Sequence, residues 1–383
     1  VLIFIVYINI ILYNMNGYER VKAALQHQEA DQVPLDLGSR SSAIEIEAYQ
    51  DLLTYLGIDE SPVCFIRAHA SMSEEVCRIL GVDTRWVRVV PKGAWSKNEE
   101  GPVYTDAWGV PWVKKEGTHY YELGGPPLSL KALEELTAAD FPPLIENGML
   151  HGMAEETRRR KKEGFYVGND TIGAGVFERS WYLRGFAQVL METAMKEGPF
   201  RDYLESIADH QIEYYTRLVT AAPGACDAVW ITDDVAGQDG MIISPEFYRR
   251  TVKPVQARLI KALKELGVDV VFHSCGAITE VLEDFIEMGA AVLHPIQLNA
   301  KGIDRRTLKR DFGTRIVFWG GGIDVELLRS GRKDEIIDEV KDALDALAPG
   351  GGFVFTPTHC IQPGTPPENI MCMVETLQEY GRY

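Results

Sequence analysis

VVFHSCGAITEVLEDFIEMGAAVLHP, residues 270–295, holds one full repeat of an alternating fold. VVFHS (270–274) is a short apolar run, TEVLEDFIEMG (279–289) has helical periodicity and stops at Gly, and AVLHP (291–295) is a second apolar run. The runs are continuous rather than alternating, as strands of a parallel sheet are when both faces are covered. Similar strand candidates stand on either side: VPLDL (33–37), RWVRVV (85–90), FYVGN (165–169), AVWIT (228–232), RIVFWG (315–320) and GFVFT (352–356). Between the later ones lie amphipathic stretches at 245–267, 304–313 and 334–351, which end in Gly as helix C-termini prefer. Eight strands in this rhythm predict an α/β (β/α)8 TIM barrel.

Two segments depart from the rhythm. GYERVKAALQHQ (17–28) is an N-terminal helical segment. Residues 91–130 are rich in Gly, Pro, Trp and Tyr without a clear period, and are expected to form a hairpin-bearing insertion over one end of the barrel. Residues 1–14, VLIFIVYINIILYN, form an apolar extension shorter than the ~20 residues of a membrane span. They have neither the basic start nor the cleavage site of a signal peptide. We expect the functional protein to begin near Met15, with 15–383 as a single barrel domain.

The chain has 383 residues, with 39 basic and 56 acidic side chains and a net charge of -17. That charge opposes binding to nucleic acid or anionic membrane surfaces and leaves a small molecule or a protein as partner. Six cysteines at irregular spacing do not read as a secreted disulfide framework, so a cytoplasmic location is expected.

In such a barrel, reactive side chains gather at the C-terminal ends of the strands. His273 and Cys275 stand at one such end, and being two apart they leave an extended backbone on the same face. Asp233 and Asp234, His294 and Gln297, Asp324, and His359 with Cys360 stand at others. One imidazole and two thiolates, from His273, Cys275 and Cys360, suit tetrahedral Zn2+ with a fourth position open. Each Cys would serve equally as a small core hydrophobe. Asp233 and Asp234 could cap the following helix, and Glu178 with Arg179 could form a surface pair.

These residues lie within a wider pattern. NGYERVKAALQHQEADQVPLDLG, FERSWYLRGFAQVL, DDVAGQDGMIISPEFYRRTVKP, FHSCGAI, HPIQLNAKGID, RIVFWGGGID and THCIQPGTPPENI together resemble the uroporphyrinogen decarboxylase superfamily, in its corrinoid-dependent methyltransferase branch. The resemblance runs from about Met15 to the end. It implies a (β/α)8 barrel, zinc on His273, Cys275 and Cys360, and methyl transfer to or from a corrinoid (cobalamin) carried by a separate protein. No Asp-x-His-x-x-Gly carrier motif occurs here. A small methyl donor, such as a methoxylated aromatic undergoing O-demethylation, is the leading expectation; a methylcorrinoid:thiol transfer of coenzyme M type is the variant. Glu178, Asp233, Asp234 and Tyr248 are the candidate catalytic residues, and Asn169, Gln238, His294, Gln297 and Asp324 the candidate substrate or cofactor contacts. Trp108, Trp181 and Trp319 are candidates to line the pocket.

The sequence departs from the family twice. The decarboxylase's Arg-rich N-terminal segment is reduced in DLGSRSSAIEIEAY to Arg40, which places uroporphyrinogen decarboxylation second. Cys360 occupies a position where many O-demethylase-like relatives carry Asn.

Overall fold

A computed structural model describes residues 14–66, 68–89, 103–115, 121–146 and 148–383. The apolar extension falls outside the described residues except for residue 14, as do parts of the 91–130 insertion.

A curled parallel sheet organises the chain. In sequence order the strands are β1 (Val63–Ile66), β2 (His69–Ser71), β3 (Thr84–Val87), β4 (Val103–Thr105), β5 (Pro111–Lys114), β6 (Tyr121–Leu123), β7 (Tyr166–Asn169), β8 (Ala228–Thr232), β9 (Asp269–His273), β10 (Val292–His294), β11 (Val317–Trp319) and β12 (Phe353–Val354). Seven of them form one sheet in the order β12-β11-β10-β9-β8-β7-β3. The predicted VPLDL strand joins its two edges. Leu35 bridges Phe355 in parallel, the Asp36 N–H donates to the Phe355 carbonyl at 2.9 Å, and the Asp83 N–H donates to the Leu35 carbonyl at 2.9 Å. The result is an α/β, TIM-barrel-like fold; seven of the eight sequence-read strands lie in this sheet, and VPLDL contributes a single bridge at Leu35.

Alternate strand positions fill the interior. Trp86, Trp230, Trp319, Tyr166, Val271 and Val354 belong to one buried cluster, separate from the larger apolar layer between strands and helices. Such a barrel is a packed core and not a pore. Trp319 therefore lies inside the barrel instead of lining a pocket. The helix Gly17–Leu25 closes the end where strands begin. Val21 and Ala24 join the interior cluster, while Arg20 pairs with Asp83 at 3.1 Å and Lys22 with Asp269 at 2.9 Å, just before or at the strand starts. Asn16 and Glu19 form a capping box that fixes where it begins.

Strands β4, β5 and β6 make a small antiparallel sheet within the insertion. It packs on the helix Val176–Arg184, with Trp112 edge-on to Tyr182 at 4.9 Å. The helical stretch read as continuous over 245–267 is interrupted by a widened turn at Tyr248–Val252 before Lys253–Lys264. Pro254 has no N–H to return to the preceding turn, which accounts for the irregularity. No helix among the described residues is long and apolar enough to cross a membrane. All six cysteines are unbridged.

Candidate active site

At the end of β9 the chain turns sharply. Gly276 takes φ 101°, and a Cβ there would lie 2.7 Å from the backbone of Ala236 and of Gly237, so only glycine lets the 273–276 loop press against the loop after β8. That approach brings together Asp234, His273 and Cys275, whose ligand-capable atoms all lie within 4.8 Å of one another. Cys275 Sγ is 3.3 Å from His273 Nε2, and Asp234 Oδ1 is 3.7 Å from the same nitrogen. The cluster opens on a cavity of about 210 Å³ at the barrel mouth, whose walls include Arg40, Ser41, His69, Glu178, Tyr182 and His359.

Neighbours hold this geometry. His273 Nδ1 meets His294 Nδ1 at 2.7 Å, beneath the cavity. If His273 Nδ1–H donates in this contact, Nε2 keeps its lone pair toward Cys275, as a metal-binding imidazole requires. Asp234 Oδ1 accepts from the Cys275 N–H at 2.7 Å, and Gln297 Oε1 accepts from the Gly276 N–H at 2.6 Å. Burial first, then the nearby His359, push His273 down to about 3, so its ring is neutral. Burial raises the Cys275 thiol well above its ordinary value, reinforced by Asp234, Glu178 and Cys360. Burial raises Glu178 and Asp234 as well, and the Asp234 charge adds to the effect on Glu178. A neutral imidazole, a thiol and a carboxylate in one partly buried group fit a divalent cation of zinc type, whose charge would favour the thiolate and carboxylate.

The structure gives the other sequence-read residues different places. Cys360 is fully buried and donates from Sγ to the Arg40 carbonyl at 3.2 Å. The three-residue cluster comprises Asp234, His273 and Cys275, and Cys360 is near enough to act on the Cys275 thiol. Asp233 does not cap the helix that follows it. It accepts from the N–H groups of Val176 and Phe177 at 3.1 Å and of Glu178 at 2.7 Å, anchoring the helix that carries Glu178 into the mouth. Tyr248 is buried behind it, donating to Gln256 at 2.8 Å, and Gln256 donates to Asp233 at 2.8 Å. Asn169 points into the helical layer, where Cys226 Sγ donates to its Oδ1 at 3.2 Å. Gln238 is exposed and offers its carbonyl to the Lys301 N–H at 2.8 Å. Asp324 caps the helix Val325–Ser330.

Glu178 and Arg179 are not a surface pair. Glu178 accepts from the Tyr182 hydroxyl, and Arg179 is fully buried with Nη1 on Asp106 Oδ2 at 2.9 Å. Trp108 is buried against Arg179, and Trp181 packs edge-on to Phe177 and Phe186. Sequence reasoning missed Tyr182 and His69 at the mouth, and took Arg179 for half of a surface pair where it is a buried partner of Asp106. The signal for Arg179 was the Asp in TDAWG, remote in sequence.

Comparison with known proteins narrows what this mouth belongs to. The family model described as uroporphyrinogen decarboxylase (URO-D) matches residues 153–380, more than half of the chain. A uroporphyrinogen decarboxylase of Thermus thermophilus is 27% identical over 265 residues, covering 67% of this chain and 72% of its own. A methylcobamide:CoM methyltransferase, MtaA of Methanosarcina barkeri, is 31% identical over 184 residues, covering 47% of this chain and 49% of its own. The match thus spans about half of that relative. Among solved structures, a methyltransferase from Methanosarcina mazei superposes with TM-score 0.69 at 20% identity, covering 96% of this chain and 99% of that one, a likeness of fold.

Proposed function

The chain belongs to the uroporphyrinogen decarboxylase family, and from that premise we propose that it is a zinc-dependent methyltransferase moving a methyl group between a small molecule and a corrinoid held by a separate protein. The observation that carries this reading is the imidazole, thiol and carboxylate of His273, Cys275 and Asp234 gathered at the mouth. His273 and Cys275 would hold the cation, with Asp234 or Cys360 completing the set. A divalent cation supplies Lewis acidity there, acidifying a bound thiol or drawing electrons from a bound ether oxygen.

The chain's own residues do the positioning. His294 fixes the His273 ring, while Gln297 and Asp234 pin the backbone of the Cys275 loop. Glu178, anchored through Asp233, stands where it can hold a proton beside the reacting atom. Holding the two reactants in line is expected to supply much of the acceleration. A methoxylated aromatic donor and a thiol acceptor both suit the site. The relatives named as CoM methyltransferases support the thiol direction, and six unbridged cysteines suit the reducing cytoplasm.

Metal analysis tests the reading. The purified protein should carry about one zinc per chain, and Cys275→Ser should lose at least tenfold in affinity. Comparing Cys360→Ser with Asp234→Asn identifies the third ligand as the one whose loss empties the site. A full metal complement in Cys275→Ser and His273→Ala would overturn the assignment. Methylcobalamin with thiols, set against cob(I)alamin with methoxyarenes, then gives the direction of transfer.

Decarboxylation is the second reading, favoured by the longer match to the Thermus enzyme. It requires uroporphyrinogen turnover that survives His273→Ala.

A further inference from the structure

Beneath the metal-type cluster a second histidine stands in register with the first. β9 and β10 pair in parallel with His273 opposite His294, and the Ser274 N–H donates to the His294 carbonyl at 2.8 Å. Nδ1 faces Nδ1 at 2.7 Å, and the ring centroids are 4.9 Å apart, which puts the contact nearly in the plane of both rings, as an N–H···N bond requires. His294 is fully buried, out of reach of a substrate. Its ring is clamped on two sides. Trp230 packs edge-on at 4.8 Å, and a Cβ on Gly320 would stand 2.9 Å from Cδ2 and 3.1 Å from Nε2, so the ring fits only against a glycine. A metal-binding imidazole usually gives its other N–H to a carboxylate, a carbonyl or water. Here a second imidazole stands at that place.

The contact holds one proton, since two N–H groups would collide, and a neutral imidazole carries its N–H on one nitrogen alone. Two orders follow. In the first, His294 Nδ1–H donates to His273, whose own proton then sits on Nε2. Only the Cys275 sulfur, a weak acceptor, is in reach of that N–H at 3.3 Å, because Asp234 Oδ1 at 3.7 Å is too far for a hydrogen bond. In the second, His273 Nδ1–H donates to His294, and the bare His273 Nε2 accepts from the Cys275 thiol. His294 then carries its proton on Nε2, and a buried N–H needs an acceptor. Neither His294 Nε2 nor the buried Thr356 hydroxyl has a hydrogen-bond partner among the described residues. Both side chains border the space that Gly320 leaves, for Thr356 Cγ2 also lies 3.1 Å from the Cβ that Gly320 lacks. Exchange of Cγ2 for Oγ1 between staggered Thr356 rotamers turns the hydroxyl toward the imidazole. The indole of Trp230, with its own Nε1 unpaired, is a donor only and cannot serve.

We propose that His294 and Thr356 are positioning residues that preset the proton order under the cluster: His273 Nδ1–H donates to His294 Nδ1, His294 Nε2–H donates to the Thr356 hydroxyl, and His273 Nε2 stands bare before a cation arrives. This deepens the methyl-transfer reading and rests on it only for the cation. When the cation binds, no proton moves along the two rings; the one proton released is that of the Cys275 thiol, which leaves to water at the mouth. A neutral outer partner, where a carboxylate would lend negative charge, leaves the cation the stronger Lewis acid.

Long-range 1H–15N spectra of the full chain, labelled at its 8 histidines and stripped of metal by a chelator, read the order directly. His273→Asn and His294→Gln assign the two rings through the signals they remove. In the parent, His273 should show the Nδ1–H tautomer and His294 the Nε2–H tautomer, and added zinc should leave both in place. His294→Leu removes the acceptor and should lower zinc affinity about tenfold or more, measured by competition with a chromogenic chelator. His294→Gln, whose carbonyl still accepts from Nδ1–H, should recover most of that loss. Thr356→Val keeps the shape without the hydroxyl and should move part of the His294 population to the Nδ1–H tautomer, a readout that stands even if His294→Leu fails to fold. A parent spectrum with the proton on His273 Nε2, unchanged zinc affinity in His294→Leu, or an unchanged His294 tautomer in Thr356→Val would overturn the proposal. If the parent shows the assigned tautomers but binds no zinc or transfers no methyl group, the methyl-transfer reading fails and the proton order stands.

Discussion

The buried Asp36 network in the barrel interior and the polar groups toward the mouth are satisfied to different degrees. In the interior, Asp36 is fully buried, and both its oxygens are satisfied: Oδ1 by Trp86 Nε1 at 2.7 Å and by the Thr84 hydroxyl, Oδ2 by Ser42 at 2.9 Å and Trp319 Nε1 at 3.0 Å. Toward the mouth, Arg179 Nε and Nη2, His294 Nε2 and Glu45 Oε2 are buried with no partner. Buried polar atoms are normally paired, and the exceptions call for a reason. Four such atoms stand toward the mouth, although Trp230 Nε1 in the interior and His27 Nδ1 beside the closing helix are unpaired as well. The Asp36 network serves stability, while the unpaired donors and acceptors toward the mouth are available to something that binds.

If that contrast holds, the largest stability loss should come from the interior. Asp36→Ala removes the shared acceptor of two buried indoles and leaves a void, and should cost about 3–5 kcal/mol. Chemical denaturation with fluorescence detection measures it, and a cost under about 1 kcal/mol would show that the interior network is not what holds the barrel. Next comes Asp106→Asn. It removes the charge facing a fully buried Arg179 yet keeps one hydrogen-bond acceptor, so about 2–3 kcal/mol is expected. That loss should appear in unfolding without a matching loss of zinc. A variant that loses metal in proportion would join the insertion to the cluster and blur the boundary between scaffold and site.

The contrast also explains what the sequence revealed. Core strands of a parallel sheet are apolar on both faces, so runs such as VVFHS and AVWIT were readable from composition alone. His273 and Cys275 were readable because they share one strand end. Polar partnerships were not, since they depend on contacts across the chain. Asp233 anchors a helix more than fifty residues earlier, and Asp106 holds Arg179 from inside the insertion. Asp234 was noticed as an acid, but its place beside His273 follows from how closely two loops pack at Gly276. The Cys360 thiol donates to the Arg40 carbonyl, a partner 320 residues away that nothing local in THCIQ specifies.

The smallest effect, and the sharpest test of the mouth as a reserve of unpaired groups, concerns Glu45. Burial, then repulsion from Glu47, raise its carboxyl from 4.5 to about 7, with Lys114 opposing. The folded state therefore holds this proton more tightly than the unfolded chain does. The stability it contributes is complete below about pH 4.5 and is lost as pH rises through about 7. Glu45→Gln mimics the protonated form, so it should change stability little at pH 5 and raise it at pH 8 by about 1–2 kcal/mol, a figure reduced for partial solvent screening. Paired unfolding curves at the two pH values read the difference. A Gln variant that is less stable than the parent at pH 8 would mean that the ionised carboxylate has a partner, and that the mouth is better satisfied than its unpaired atoms indicate.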